Sequence, residues 1–246
     1  MKDNFSIQAD VYATYRPDYP AKLFRFILSK IPVKENAWDS ATGNGQTAKD
    51  LAPHFKKIFA TDISQKQIDN AVKAPNIFYS VQPAEQTNFA DSSFDLITVS
   101  QALHWLQFDC FYAEVKRVAK PGGWLAAWMY SLPVISRGVD EIVAIDFYKN
   151  VIGSYWDYER KYVDEKYSTI PFPFEEIACP VFSIAFKWTL NDLRGYLNSW
   201  SAVQNFIKVN GFNPVDECMH QITPLWQNEY RKAVFPVAMR MGRIHK

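Results

Sequence analysis

The chain has 246 residues, 48% of them hydrophobic and 16% aromatic, which suffices for one sizeable core carrying an insertion. Its 27 basic and 26 acidic residues give a net charge of +1, so no global field draws it to nucleic acid or an anionic membrane, and a small-molecule partner is favoured. Three scattered cysteines fit neither a disulfide framework nor a Cys-x-x-Cys metal site. The chain shows no signal-like start and no apolar run of about 20 residues. We therefore expect a soluble, cytoplasmic monomer or homodimer.

Short apolar strands alternate with amphipathic helices over the first half of the chain. Apolar runs bounded by turn residues predict strands at 36–40, 57–62, 77–81, 94–99 and 124–129. Apolar residues at helical spacing predict helices at 21–31, 46–55, 64–74 and 108–119. Pro121, Gly122 and Gly123 predict a turn before the fifth strand. Because helices separate the strands, the pattern indicates parallel βαβ units with ligands at the carboxyl ends of the strands.

Beyond residue 130 this alternation fades. A strand is predicted at 181–190, a helix at 191–200 and a closing strand at 232–241, in which Pro236 indicates an edge or a bulge. The predicted fold class is α/β, a doubly wound, Rossmann-like, mostly parallel seven-stranded sheet with helices on both faces and a helical, aromatic cap insertion.

Two features at the ends of the first two strands indicate a nucleotide-like ligand. Small residues follow the first strand at 41–45, where they let the backbone approach a ligand closely. Asp62 ends the second strand about twenty residues later, the usual place of an acid that binds ribose hydroxyls. Ser64 can cap the next helix, which leaves the Asp62 carboxylate to the ligand. Residues 43–48 also satisfy G-x-G-x-x-G/A, so the spacing fits NAD and S-adenosylmethionine equally.

Five short motifs occur in order along this half of the chain. They are the glycine-rich 38–45, the acid motif 60–64, the loop 83–85, the strand and loop 94–105, and the Pro-Gly-Gly segment 118–125. Together they resemble the class I S-adenosylmethionine-dependent methyltransferases of the methyltransferase-11 kind. The resemblance implies S-adenosylmethionine as cofactor and no metal. Ala41 stands where the family usually has Gly, which is expected to shift the cofactor slightly.

Segments 12–20, 101–105 and 197–202 further resemble the trans-aconitate methyltransferase-like branch, in which the amino-terminal segment folds over the cofactor. The cofactor residues implied are Tyr15, Arg16, Asp39, Ala41, Thr42, Gly43, Gly45, Gln46, Asp62, Ile63, Ala84, Glu85, Gln101 and Ala102. The substrate residues implied are Tyr12, His104, Trp105 and Trp200, with His104 as the candidate catalytic base. We expect a lid and first helix at 1–32, the S-adenosylmethionine-binding core at 33–132, a cap including a late strand at 133–231, and the closing strand at 232–246.

Methyl transfer is an in-line displacement that requires alignment of nucleophile, methyl group and sulfur. An ionised carboxylate acceptor needs no base, whereas a phenol or an amine would need help from His104. By resemblance we favour O-methylation of a small carboxylate. One alternative is an NAD(P)-dependent oxidoreductase, although no Tyr-x-x-x-Lys follows the fourth or fifth strand; another is a non-catalytic S-adenosylmethionine-binding regulatory module. A nucleic-acid methyltransferase is disfavoured because Ser-Gln-Ala-Leu at 100–103 replaces the motif that holds a flipped base.

Overall fold

The strands and helices of the computed structural model, which describes residues 18–246, follow the predicted alternation. The strands are β1 (Asn36–Ser40), β2 (Lys57–Asp62), β3 (Ile77–Val81), β4 (Phe94–Ser100), β5 (Ala119–Tyr130), β6 (Glu175–Ile177), β7 (Phe182–Trp188) and β8 (Arg231–Arg243). The α-helices are α1 (Ala21–Lys30), α2 (Gln46–Leu51), α3 (Gln65–Asp69), α4 (Phe108–Val118), α5 (Arg137–Glu141), α6 (Arg160–Asp164), α7 (Leu190–Asn198), α8 (Ser201–Asn210) and α9 (Val215–Ile222). A π-helix (Ile142–Val151) continues α5, and 3₁₀ turns lie at Leu103–Trp105, Gly153–Tyr155 and Thr223–Leu225.

The sheet runs β3-β2-β1-β4-β5-β8-β6, with β7 also paired to β8. Strands β1 to β5 pair in parallel, and β8 is antiparallel to its neighbours. The doubly wound, mostly parallel sheet is therefore confirmed, but residues 18–246 contribute eight strands to it where seven were expected. The extra strand comes from the insertion, because β7 pairs with Arg231–Val237 of β8 and β6 pairs with 241–243. Strands β6 and β7 therefore both lie along the outer side of β8, at different points along its length.

Two proline-based expectations are wrong. Pro236 lies in an interior strand and not at an edge, since β8 has β5 on one side and β6 and β7 on the other. This is tolerated because Pro236 lies just beyond the last β5 pair: its carbonyl accepts from Ser131 N at 2.9 Å, and the missing N–H forfeits only the reciprocal bond to Ser131. Pro121 and Gly122 lie within β5 as an irregularity in its pairing with β4, and Gly122 N donates to Ile244 O at 3.0 Å.

Apolar residues cover both faces of the sheet. Trp128 is fully buried on one face, which packs against α1, α2 and the helices of the cap. Trp38 is fully buried on the other face, against α4 and the chain around Tyr167. With both faces covered, the open functional edge is the one where the parallel strands end. No helix among residues 18–246 is long and apolar enough to cross a membrane.

Candidate active site

The turn after β1 is tied to the end of β2 by hydrogen bonds that its backbone N–H groups donate. Thr42 N donates to Thr61 O at 2.9 Å, and Gly43 N donates to Asp62 Oδ2 at 2.9 Å. A Cβ added at Gly43 would meet only Gln67 Oε1, at 4.0 Å. The backbone at Gly43 therefore has open space beside it, as the close approach of a cofactor requires.

Gly45 is constrained by its conformation and by a neighbour. Its φ is +82°, and a Cβ there would lie 2.2 Å from the Tyr79 hydroxyl. The hydroxyl of Tyr79, which lies on β3, donates a hydrogen bond to Val72 O at 2.5 Å. This bond holds the Tyr79 ring in place beside Gly45. Gly45 is thus needed to let the turn pack against β3.

Ala41 adopts a φ of 51°, in the left-handed region. That conformation costs an L-residue with a Cβ roughly 1 to 2 kcal/mol, so glycine would fit this position with less strain. The expected small shift of the cofactor at Ala41 stays a prediction.

Asp39 is fully buried at the end of β1. Its carboxylate accepts hydrogen bonds from the Thr42 hydroxyl and from Thr98 Oγ1, the latter at 2.7 Å. Burial raises the pKa of Asp39 to about 6, although those hydrogen bonds oppose the rise and the nearby charge of Asp62 adds to it. Asp39 therefore anchors the turn from within the sheet and can change its protonation near neutral pH.

The Asp62 carboxylate, 8% exposed, also binds the backbone. Oδ1 accepts from Ser64 N at 2.9 Å and Oδ2 accepts from Gly43 N at 2.9 Å. Ser64 does cap α3, accepting from Gln67 N at 3.3 Å, but this does not leave the Asp62 carboxylate to the ligand alone. A carboxylate oxygen accepts more than one hydrogen bond, so these two backbone contacts do not exclude a ribose hydroxyl as a further donor.

The loops after β3 and β4 come together beside this turn. Glu85 Oε1 accepts from Gln107 N at 3.2 Å, which joins the loop that holds Ala84 to the start of α4. Ala84 and Ala102 are both buried, and Ile63 is half-buried. The Gln46 amide donates to Asp18 Oδ1 at 3.0 Å. The structure thus gathers the predicted cofactor residues of 39–102 along the carboxyl edge of the sheet, whereas Tyr12, Tyr15 and Arg16 lie outside the described residues.

Gln101 has a special position at the end of β4. Its φ is 55°, its N–H donates to Trp128 O at 2.8 Å, and its Oε1 accepts from Tyr130 N at 2.8 Å. The backbone turns sharply here, which directs Gln101 and the 3₁₀ turn after it into a cavity. A residue predicted to bind cofactor therefore also lines the adjoining space.

This cavity encloses an empty volume of about 580 Å³, which includes space open to solvent. It is lined by Gln101, His104, Trp105, Tyr130, Trp156, Asp157, Arg160, Tyr196, Trp200 and Ser201. The three predicted substrate residues within the described range, His104, Trp105 and Trp200, all line it. Sequence reasoning missed Asp157 and Arg160, which lie in the aperiodic stretch after the π-helix.

Aromatic rings form one wall of the cavity. The Trp200 ring, 4% exposed as a residue, lies 5.6 Å from those of Trp156 and Tyr196 and 5.7 Å from that of Tyr148, measured between centroids. Such a wall fits the apolar body of a small ligand.

Arg160 is held in this wall by several contacts. Its guanidinium carbon lies 4.6 Å from the centroid of Trp156 and 5.3 Å from that of Tyr148. Its Nε donates to Tyr148 Oη at 2.7 Å and lies 3.5 Å from Asp164 Oδ1. Tyr148 in turn donates to Asp164 Oδ1 at 2.6 Å. All these polar contacts use Nε, and within residues 18–246 no hydrogen bond occupies the two terminal nitrogens.

His104 is 5% exposed and contacts both Tyr167 and Trp105. Its Nδ1 lies 2.8 Å from Tyr167 Oη, and its ring centroid lies 4.8 Å from that of Trp105. The role of His104 as a base stays a prediction. Among the residues that the structure describes, no group of three or more His, Cys, Asp or Glu side chains is arranged to hold a metal.

Comparison with known proteins adds independent information. The sequence profile of the family described as "Methyltransferase domain" matches residues 38–127. A Dictyostelium discoideum protein described as a methyltransferase is 36% identical over 218 residues, which cover 87% of this chain and 83% of that protein. A solved structure from Anaeromyxobacter dehalogenans, described as a type II methyltransferase, is 35% identical with a TM-score of 0.86, and the match covers 94% of this chain and 99% of that one.

A Haemonchus contortus phosphoethanolamine N-methyltransferase was solved with phosphomonomethylethanolamine and S-adenosylhomocysteine. It shares 15% identity and a TM-score of 0.52 over 98% of this chain and 58% of its own, and so shows a common fold alone.

Fold and site together are typical of a doubly wound α/β enzyme that binds a nucleotide-like cofactor at the carboxyl ends of its parallel strands. The sequence identity of 36% to the Dictyostelium protein and 35% to the Anaeromyxobacter protein, each over most of both chains, identifies the family within this class. The protein belongs to the class I S-adenosylmethionine-dependent methyltransferase family and uses S-adenosylmethionine as its cofactor. The oxidoreductase alternative is thereby set aside, and the trans-aconitate methyltransferase-like branch stays a prediction.

Proposed function

We propose that this methyltransferase transfers the methyl group of S-adenosylmethionine to a carboxylate of a small molecule, giving a methyl ester. The observation that carries the proposal is Arg160 in the cavity wall beyond β4. A guanidinium in the wall of a ligand pocket, with no other hydrogen bond at its terminal nitrogens, recognises a carboxylate through two parallel hydrogen bonds.

The contacts of Arg160 support a recognition role for this side chain. Trp156 and Tyr148 stack against it, and the Tyr148 hydroxyl accepts from Nε, so the guanidinium is ordered before a ligand arrives. Little side-chain entropy then remains to be lost on binding. The Asp164 Oδ1 atom lies 3.5 Å from Arg160 Nε, so the Asp164 carboxylate partly neutralises the positive charge of the guanidinium.

The start of helix α8 adds a second favourable feature. Ser201, its first residue, lines the same cavity, and Trp200 at the N-cap makes no side-chain capping bond. The first N–H groups of a helix lack intrahelical partners and carry a partial positive charge, which favours an anion nearby. The aromatic wall formed by Trp156, Tyr196 and Trp200 accommodates the apolar part of such an acid.

This arrangement suits an acceptor that is already ionised. S-adenosylmethionine supplies an activated methyl group, and we assign its binding in this chain to the turn 41–45 and Asp62. A carboxylate at neutral pH attacks without a general base, so the protein's task is to align it and to exclude water. We assign alignment to Arg160 and exclusion of water to the aromatic wall.

Asp157 lines the same cavity and favours a second candidate, an amine acceptor. A carboxylate beside the acceptor would attract an ammonium group, and His104 would then be positioned for proton removal. The carboxylate proposal is preferred because Arg160 would repel a cation at the same wall.

The test is a methyl-transfer assay with radiolabelled S-adenosylmethionine against aromatic and aliphatic mono- and dicarboxylic acids, with the matching amines and phenols in parallel. We expect acids to be methylated and Arg160→Gln to raise their KM about tenfold or more, equivalent to about 1.4 kcal/mol. Arg160→Lys should recover part of the loss because it keeps charge without the planar fork. Arg194→Gln, which removes an exposed arginine paired with Asp216, is the matched control. Turnover of amines with acids inert, or acid turnover unaffected in Arg160→Gln, would refute the proposal.

A further inference from the structure

The hydroxyl of Tyr148 lies between the guanidinium of Arg160 and the carboxylate of Asp164. Arg160 Nε lies 2.7 Å from Tyr148 Oη, which in turn lies 2.6 Å from Asp164 Oδ1. An arginine nitrogen can only donate, so the tyrosine oxygen accepts from Nε and its own hydrogen goes to the carboxylate. Burial raises the pKa of Tyr148 above its ordinary value, so the hydroxyl keeps this hydrogen at neutral pH. The chemistry of the three groups therefore fixes the direction of both hydrogen bonds.

A helix of unusual register brings Tyr148 to this position. The buried residues of the π-helix Ile142–Val151 and its C-cap are Val143, Phe147, Tyr148 and Ile152. In an α-helix of 3.6 residues per turn, Val143 and Ile152 would lie on opposite faces. The wider turn of a π-helix brings them to one face, and its i→i+5 bonding continues to the end, where Ile152 N donates to Phe147 O at 3.0 Å. This register buries Tyr148, which is 6% exposed.

The ring of Tyr148 also restricts where the guanidinium can lie. The centroids of Tyr148 and Trp156 are 5.0 Å apart, and the guanidinium carbon of Arg160 lies 5.3 Å from the first and 4.6 Å from the second. The Trp200 ring lies 5.7 Å from that of Tyr148. Of these four residues, Trp156, Arg160 and Trp200 line the cavity and Tyr148 does not. An effect of Tyr148 on a ligand therefore passes through the residues that it contacts.

The bond to Tyr148 determines which nitrogens of Arg160 are left for a ligand. Nε carries one hydrogen, and that hydrogen is donated to Tyr148 Oη. A carboxylate can pair with a guanidinium side-on, through Nε and one terminal nitrogen, or end-on, through Nη1 and Nη2. With Nε occupied, the end-on arrangement is the one that still provides two parallel hydrogen bonds.

We infer that Tyr148 is a positioning residue that fixes the Arg160 guanidinium for end-on binding of the acceptor's carboxylate. The end-on binding rests on the proposed function, whereas the bond between Tyr148 and Arg160 Nε is a property of the free protein. Asp164 supports this bond, because accepting the Tyr148 hydrogen makes the tyrosine oxygen a better acceptor for Nε. A guanidinium held in advance loses little freedom when a ligand binds, so loss of the hydroxyl weakens binding and leaves the chemical step unchanged.

The first test needs no substrate and follows arginine Nε–H groups by ¹H–¹⁵N NMR, with Arg160 assigned from its absence in Arg160→Lys. In the wild type we expect Arg160 Nε–H to exchange with water about tenfold more slowly than that of Arg194, which pairs through Nη1. Tyr148→Phe should abolish this protection. Tyr155→Phe is the matched control, because it removes a cap hydroxyl that bonds to Asn210. Equal exchange at Arg160 and Arg194, or unchanged protection in Tyr148→Phe, would overturn the inference. The wild-type exchange rates alone decide if Tyr148→Phe does not fold.

The second test is kinetic and uses whichever acid is methylated. Tyr148→Phe should raise the KM about threefold to tenfold with kcat changed less than about twofold, because one side chain must then be immobilised on binding. In an Arg160→Gln background the same substitution should change the KM less than about twofold, since Tyr148 acts through Arg160. Equal increases in both backgrounds, or a fall in kcat with KM unchanged, would overturn the positioning role. If no acid is methylated, the proposed function fails together with end-on binding, and the NMR result still decides whether Tyr148 holds Arg160.

Discussion

Asp39 makes the free energy of unfolding depend on pH in a range where most carboxyl groups are already ionised. Burial raises its pKa from an ordinary 3.8 to about 6, so the folded state holds a proton that the unfolded state releases. For a carboxyl with a raised pKa, the stabilising contribution is fully present below the unfolded pKa. That contribution to stability is lost as pH rises through the pKa of the folded state.

The size of this effect follows from the two pKa values. Between pH 5 and pH 7, a shift from 3.8 to about 6 makes the free energy of unfolding fall by about 1.3 kcal/mol. Asp39→Asn cannot ionise, so the variant should lack this fall. Any fixed cost of the amide, which accepts less well from Thr42 and Thr98, is the same at both pH values and cancels in the comparison.

The assay is urea unfolding of wild type and Asp39→Asn at pH 5, 6 and 7, with the m-value checked for constancy. We expect the destabilisation caused by Asp39→Asn to shrink by about 1.3 kcal/mol between pH 5 and pH 7. Thr98→Val removes a donor that lowers the Asp39 pKa, and so should be more costly at pH 7 than at pH 5. Parallel pH curves for wild type and Asp39→Asn would refute the reasoning.

Two further predictions concern the cofactor turn. Gly45→Ala should lower the free energy of unfolding by about 2 to 4 kcal/mol, from its φ of +82° and the clash with Tyr79. Gly211→Ala, with a φ of +79° but open space around it, should cost only about 1 kcal/mol, and equal losses in urea unfolding would show that the clash is absent. Asp62→Asn should weaken S-adenosylhomocysteine binding about tenfold or more by calorimetry, because its new NH₂ group faces a backbone donor such as Gly43 N. Unchanged affinity would remove Asp62 from the cofactor site.

The core of the sheet could be predicted closely from the sequence. The bounds of β1, β2 and β3 agree with the prediction to the residue, because each is a short segment bounded by turn residues. Helices were predicted too long: α2 ends at Leu51 and α3 at Asp69. Buried apolar residues beyond those ends, such as Phe55 and Ala71, continue the apolar spacing although the chain has left the helix.

The cavity could be predicted only in part. His104 and Trp105 follow a central parallel strand, and that position alone directs them to the ligand edge. Arg160 depends on Tyr148, twelve residues earlier in a π-helix whose hydrogen bonds do not follow the 3.6-residue period. The bond from His104 to Tyr167 spans 63 residues and leaves no local signal. Such long-range pairs are set by tertiary packing.

The interior position of β8 has a consequence for biosynthesis. Although β8 is the last of the described strands to leave the ribosome, it separates β5 from β6 and β7. Translation from Tyr130 to Arg231 adds about 100 residues and takes roughly 5 to 20 s, during which the outer edge of β5 has no strand to pair with. An unpaired edge is a template for other chains, so the nascent protein passes through an interval in which aggregation competes with folding. Growth temperature and chaperone supply during this interval should therefore affect the yield of folded protein.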